Sequence, residues 1–377
     1  MIQVNTTNFV LAGGGEPGLV PAGLAIADEL RALVPHARFL FAGAGAEDEC
    51  RRVCHAGYEY LAFGMSPDSR QPRAWRWPWT GWGEERRLLK RTRPAAVISL
   101  GGPIGESVGH AAIGLGLPLA VLEQHVMASR ATRRLATKAT VVCLGFEETR
   151  HRLAANCPVR VTGIPIARPA LVTADDAVEA IAASDGLSVP AKSRRLVILS
   201  DGGTHREMNA TLPRAIRRLE EHLLNWRVVH RTRFQEVRPV QRLYRRLGVD
   251  AVATGHIHNL SAVLARSDLV IAMTPPTDVV ELAASATPIV AAIDADAFEC
   301  AQVRTARTLA QSGACVVVDE PDQERVWTQI LEPLLRDSGQ RRQMAAAMQR
   351  HLRTDAAWQV ASMIRDLISS TARVCVA

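Results

Sequence analysis

At 377 residues the chain is too long for one ordinary core, so about two domains are expected. Apolar residues make up 47% and charged residues 22%, which excludes a disordered chain, and no apolar run approaches the roughly 18 residues of a spanning helix. The formal charge of +7 points to an acidic partner: nucleic acid, an anionic membrane or a phosphorylated substrate.

Met1 to Thr7 is polar and holds no signal peptide, so a cytosolic protein is expected. Phe9 to Ala12 is a short apolar run feeding Gly13, Gly14 and Gly15. Pro21 then opens a helical pattern of Leu24, Ala25, Leu30 and Leu33. Strand, glycine turn and helix in that order suit an anionic ligand, because glycine lets a backbone turn sharply and the helix points its N-terminal amides into the gap. The same glycines also describe a tight turn with no ligand. Arg38 to Ala42 and Tyr58 to Phe63 read as strands, with Glu47 to Ala56 helical between them. This alternation predicts an α/β fold with a doubly wound parallel sheet, whose ligand crevice lies beyond the carboxyl ends of its strands. Cys50 and Cys54 lie four apart in that helix, yet no His or Cys pair nearby completes a tetrahedral metal set. The seven cysteines are therefore expected to be reduced, and no metal is expected.

Gln71 to Pro94 changes the texture. It holds Trp75, Trp77, Trp79 and Trp82 beside Arg73, Arg76, Arg86, Arg87, Lys90, Arg91 and Arg93. Tryptophan favours the headgroup layer, and a basic residue near an anionic leaflet contributes about 1 kcal/mol, so the segment is a candidate membrane contact. A solvated basic helix behind a Trp-rich loop, or a single-strand nucleic-acid surface, has the same composition. Ala95 to Leu100 is the next buried strand and delivers Gly101 and Gly102, with a helix expected from about Glu106. Pro118 to Leu122 forms a strand ending in Glu123, Gln124 and His125, and polar groups at a strand's carboxyl end are where this architecture keeps its chemistry. Ala139 to Leu144 and Val159 to Thr162 complete the first half.

The expected domains are residues 1–166, a linker at 167–194, a second domain at 195–352, and a C-terminal helix at 353–377 packing back toward the first. Leu196 to Leu199 restarts the pattern, followed by Asp201, Gly202, Gly203 and Thr204 and a helix through Leu219. Trp226 to His230, Ala251 to Ala253, Leu269 to Ala272, Ile289 to Ala292 and Ala314 to Val318 read as strands. Val326 to Leu335 and Ala356 to Ser369 read as the closing helices.

Two halves of one design suggest two Rossmann-like domains facing a cleft, and particular residues extend the likeness. Gly23-Leu-Ala-Ile-Ala27 follows the glycine loop; Gly101-Gly102 is followed at fixed spacing by Gly116-Leu-Pro-Leu-Ala-Val-Leu-Glu-Gln124. Val161-Thr-Gly-Ile-Pro165, Asn209-Ala-Thr-Leu-Pro213, Glu281-Leu-Ala-Ala284, Pro288 and Gln302 fall in the same register. In these the chain resembles, over nearly its whole length, the MurG-type N-acetylglucosaminyltransferases of peptidoglycan synthesis. The resemblance implies a GT-B fold and inverting transfer of a sugar, GlcNAc in that family, from a UDP-sugar to a lipid-linked acceptor at the inner face of the membrane. It implies no cofactor beyond the UDP-sugar co-substrate, no metal and no nucleic acid. The implied donor residues are Gly202, Gly203, Thr204, Thr277, Glu281, Gln302 and Arg168. Those implied for the acceptor are Gly13, Gly14, Gly15, Gly101, Gly102 and Gln124.

The departures from the family are specific. Gly13-Gly-Gly-Glu-Pro-Gly-Leu19 lacks the histidine of the family's first loop, leaving Glu16, Glu123 and His125 as candidate bases for the attacking hydroxyl. Glu16 is favoured because it occupies that loop. Leu122 and His125 stand where the family has His and Asn, and Ala167, beside Arg168, stands where it has Arg. Thr274-Pro275-Pro276-Thr277-Asp278 replaces the diphosphate loop, with prolines that donate no N–H and a carboxylate among the expected phosphates. A catalytically silent relative, serving as a binding or scaffold protein, is the alternative expectation.

Overall fold

The structure, a computed structural model, describes residues 7–15, 18–63, 82–166, 193–200, 206–257, 260–274, 282, 285, 287–293, 300–351, 353 and 355–374. The chain divides into two compact units, Met1–Arg168 with Arg353–Ala377, and Pro169–Leu352.

The first unit is built from β1 (Asn8–Ala12), α1 (Leu19–Leu33), β2 (Arg38–Gly43), α2 (Glu47–His55), β3 (Glu59–Ala62), α3 (Trp82–Thr92), β4 (Ala96–Ser99), α4 (Gly102–Gly114), β5 (Leu119–Glu123), α5 (Arg130–Leu135), β6 (Val141–Leu144) and β7 (Val159–Val161). The strands form one parallel sheet in the order β3-β2-β1-β4-β5-β6-β7. Neighbouring side chains of a strand point to opposite faces, and here both faces are dry. Phe9 and Leu11 pack with Ile26 and Leu30 of α1, whereas Val10 and Ala12 pack with Val108 and Ala112 of α4 and Leu88 and Leu89 of α3. This double burial is why β1 and β4 read as continuous apolar runs.

The second unit contains β8 (Arg194–Ser200), α6 (Arg206–Arg218), β9 (Trp226–Thr232), α7 (Phe234–Leu247), β10 (Ala251–Thr254), α8 (Leu260–Ala265), β11 (Leu269–Thr274), β12 (Ile289–Ile293), α9 (Ala301–Gln311), β13 (Cys315–Val318), α10 (Glu324–Arg336) and α11 (Ser338–His351). Its parallel sheet runs β10-β9-β8-β11-β12-β13. After α11 the chain enters α12 (Ala356–Val374), which packs Val360, Ala361 and Ile364 into the first unit's core. Both sheets reverse their strand order once, between β1 and β4 and between β8 and β11. Each unit is therefore a doubly wound, Rossmann-like domain with a switch point at its carboxyl edge.

One helix starts earlier than the sequence expectation, and two others were not anticipated from the sequence. α4 begins at Gly102, not near Glu106, because Pro103 needs no N–H in a first turn and so opens the helix instead of blocking it. α5 is only six residues long, started by Ser129, whose hydroxyl accepts from the Thr132 amide. α11 lacks a clean apolar stripe: Met344, Ala347 and Met348 are buried, but so is Arg341. The Arg341 guanidinium lies 4.9 Å from the Trp226 ring centroid and donates to the Leu334 carbonyl at 2.5 Å, closing the end of α10. A cation that caps one helix and stacks on a ring hides the helix from a hydrophobicity pattern.

Candidate functional site

In the first unit the loops leaving β1, β4 and β5 converge at the switch point. The Gly13 amide donates to the Ala42 carbonyl (3.0 Å), and a Cβ on Gly13 would lie 2.7 Å from Leu100 Cβ and 3.1 Å from the Gly101 carbonyl oxygen. The turns after β1 and β4 therefore touch, and only glycine fits. Gly101 and Gly102 have φ of 112° and 68°, and α4 starts there. Gln124, 3% exposed, reaches across with Nε2 donating to the Gly18 carbonyl at 3.4 Å. Thus Gly13, Gly101 and Gln124 are brought together around the start of α1.

Glu123, the last residue of β5, is buried and fully engaged. Its Oε1 accepts from the His125 amide (3.1 Å) and lies 3.5 Å from the His125 ring Nδ1, while Oε2 accepts from the Ser129 amide at 2.6 Å. Burial alone would raise its pKa. The His125 hydrogen bond and charge, with the Ser129 amide and the Thr132 hydroxyl, outweigh it and hold the carboxyl below its ordinary range. Thr149 Oγ1 in turn donates to the His125 carbonyl at 2.8 Å, so the turn is held from both sides.

Glu49 was not anticipated from the sequence. Its Oε1 accepts from the Gly15 amide at 2.5 Å; its Oε2 accepts from the Ala44 amide at 3.1 Å and from the Tyr60 hydroxyl at 2.9 Å. Tyr60 itself accepts from the Gly45 amide at 2.8 Å. Burial pushes the Tyr60 phenol up; the Gly45 hydrogen bond opposes this, and the Glu49 charge adds to it. Glu49 lies 34 residues from Gly15, so only the β1–β2 pairing brings them together, and no local motif announces it.

In the second unit, Ser200 ends β8 and bonds through Oγ to His230 Nε2 at 2.8 Å, while His230 Nδ1 lies 3.0 Å from the Tyr244 hydroxyl. Ser200 Oγ also donates to the Arg231 carbonyl, so its acceptor face meets Nε2–H, and Tyr244 donates to Nδ1; the tautomer is assigned from this network. Burial lowers the His230 pKa to about 3. Asn209, in the first turn of α6, donates to Thr232 Oγ1 at 3.0 Å, and its own buried Oδ1 has no partner. Gln302 lies in the first turn of α9, whose start is capped by Cys300 Sγ accepting from the Val303 amide. Gln302 and Asn209 stand among the residues that carry the family resemblance, whereas the Ser200–His230–Tyr244 chain has no signature in the sequence, where His230 closes the strand expected from Trp226.

Glu16, Arg168, Gly202, Gly203, Thr204, Thr277, Glu281, Trp75, Trp77 and Trp79 lie outside the described residues. Trp82 begins α3, on which Arg86, Arg87, Lys90 and Arg91 are exposed while Leu88 and Leu89 are buried. Among the described residues no helix is long and apolar enough to cross a membrane, and no trio of His, Cys, Asp or Glu is placed to hold a metal ion.

Comparison with known proteins aligns both units with one family. Residues 9–144 match the glycosyltransferase family 28 N-terminal domain and residues 197–360 its C-terminal domain. The UDP-N-acetylglucosamine--N-acetylmuramyl-(pentapeptide) pyrophosphoryl-undecaprenol N-acetylglucosamine transferase of Salinibacter ruber is 30% identical over 379 residues, covering 98% of each chain. Its counterpart from Geobacter sulfurreducens is 25% identical, covering 96% of this chain and 98% of that one. Among solved structures, Acinetobacter baumannii MurG superposes with a TM-score of 0.69 at 20% identity, covering 96% of this chain and 99% of that one. The UDP-GlcNAc 2-epimerase of Neisseria meningitidis, bound to UDP-GlcNAc, gives a TM-score of 0.70 at 12% identity, covering 96% and 100%. At these identities the structural likeness speaks for the fold alone.

Proposed function

Because the chain belongs to glycosyltransferase family 28, in its MurG-type branch, we propose that it transfers GlcNAc from UDP-GlcNAc to a lipid-linked, cell-envelope acceptor. The observation that carries this reading is the match of both units, in order, to the two domains of one transferase family. In the scheme the first unit seats the acceptor where the turns after β1, β4 and β5 meet. The second binds the donor at its own carboxyl edge, with Glu281 on the ribose and Gln302 near the sugar. An acceptor hydroxyl attacks the anomeric carbon, the bond to UDP breaks, and a base takes the proton. Glu16 is the proposed base. Glu123, with its lowered pKa and its oxygens already bonded, is assigned to holding the turn that carries Gln124 and His125. The exposed basic face of α3 is assigned to an anionic membrane surface, which places the enzyme beside its acceptor.

The test is release of UDP by purified protein given UDP-GlcNAc and a polyprenyl-diphosphate muramoyl acceptor. Release well above that of a Glu281→Ala variant is expected; equal release would overturn the transfer reading. The altered loop Pro275-Pro276-Thr277-Asp278 favours a second reading, a silent binding protein. Calorimetry separates the two: micromolar binding of UDP supports a transferase, and no binding at millimolar UDP supports the silent protein.

A further inference from the structure

Glu49 is bonded to the glycine turn from another element, α2. Its two carboxylate oxygens collect the Gly15 amide from one loop, the Ala44 amide from the next, and the Tyr60 hydroxyl that also fixes Gly45. Gly14 sits so close that a Cβ there would lie 2.8 Å and 2.9 Å from those same oxygens. One side chain on α2 therefore fills the space that a side chain on the turn would take, and ties the ends of β1 and β2 together.

We infer that Glu49 is a positioning residue for transfer: it fixes the backbone of the acceptor-side glycine turn through Gly15 and Ala44, without touching substrate. The inference rests on the transferase reading above. Charge-assisted hydrogen bonds from backbone amides are stronger than neutral ones, and removing the acceptor leaves both N–H groups to find water, which loosens the turn. Glu16, the proposed base, follows Gly15 in the chain, and a misplacement of about 1 Å at a reacting group costs up to about a hundredfold in rate. Glu281 and Gln302, proposed for the donor, belong to the second unit, so this clasp is expected to leave donor binding unchanged.

The experiment is steady-state UDP release by full-length protein, varying acceptor and UDP-GlcNAc in turn, for wild type, Glu49→Gln, Tyr60→Phe and the control Glu47→Gln. Glu47 bears an exposed carboxylate that pairs with Arg51. For Glu49→Gln, kcat/KM for the acceptor is expected to fall roughly tenfold or more, with KM for UDP-GlcNAc within about twofold of wild type. Tyr60→Phe removes one of the three bonds to the carboxylate and should shift the acceptor terms in the same direction by less, which serves if Glu49→Gln fails to fold. Glu47→Gln should match wild type. Unchanged acceptor constants in both Glu49→Gln and Tyr60→Phe, or an equal shift in the donor KM, would overturn the positioning role while leaving transfer intact. Absence of transfer by wild type would overturn the proposed function and this inference with it.

Discussion

His230 has both ring nitrogens committed inside a dry strand, and this makes it a sensor of acid for the fold. Its folded pKa is about 3, against about 6.5 for the unfolded chain, so between those values the unfolded state binds the extra proton. The stability it supports is fully present above pH of about 6.5 and erodes as pH falls toward 3. Lowering the pH from about 7.5 to about 5 should therefore cost about 2 kcal/mol from this residue alone. Chemical denaturation at the two values checks this, and His230→Gln should flatten that loss; an equally steep loss in the variant would contradict the assignment. Glu123 adds a lower window: its depressed carboxylate contributes above the unfolded value of about 4.3 and loses that contribution on further acidification. At this scale little was legible. Glu123 and Gln124 stood out at a strand end, but the partners of Glu49, His230 and Asn209 come from other strands or helices, at separations set by sheet order and not by spacing.

Elements were legible where burial is two-sided. β1, β4, β8, β11 and β12 announce themselves as apolar runs because helices cover both faces of each sheet. α11 did not, since Arg341 replaces an apolar contact with a capping and stacking one, and α4 starts before the expected Glu106 because Pro103 sits in its first turn, where no N–H is needed. α12 was legible as a helix, and its burial against α1 has a measurable weight. Ile364 is fully buried among Ile26, Leu30 and their neighbours. Ile364→Ala should lower stability by about 3 kcal/mol, within the range for buried isoleucine truncation. A loss under about 1 kcal/mol in denaturant unfolding would mean that α12 is not part of this core.

For the molecule as a whole, the balance of charge and the exposed face of α3 bear on where it works. Arg86, Arg87, Lys90 and Arg91 project from one helix whose Leu88 and Leu89 are sunk in the core. Sedimentation with vesicles should show pelleting on anionic lipid, weakened by salt and by replacing the four basic residues with serine. Equal pelleting on neutral lipid, or none on anionic lipid, would remove the membrane from the scheme. The order of the chain adds a constraint of another kind. The second unit is spliced into the first: the polypeptide leaves at about Arg168 and returns at Arg353, and α12 completes a core begun at Phe9. On the ribosome the first-made sheet must therefore wait, its α1 face uncovered, while all of the second sheet is translated. The interior part can mature as soon as it emerges, whereas the outer one is sealed last, and a nascent chain stalled before Ala356 should offer proteases the older half in preference to the younger.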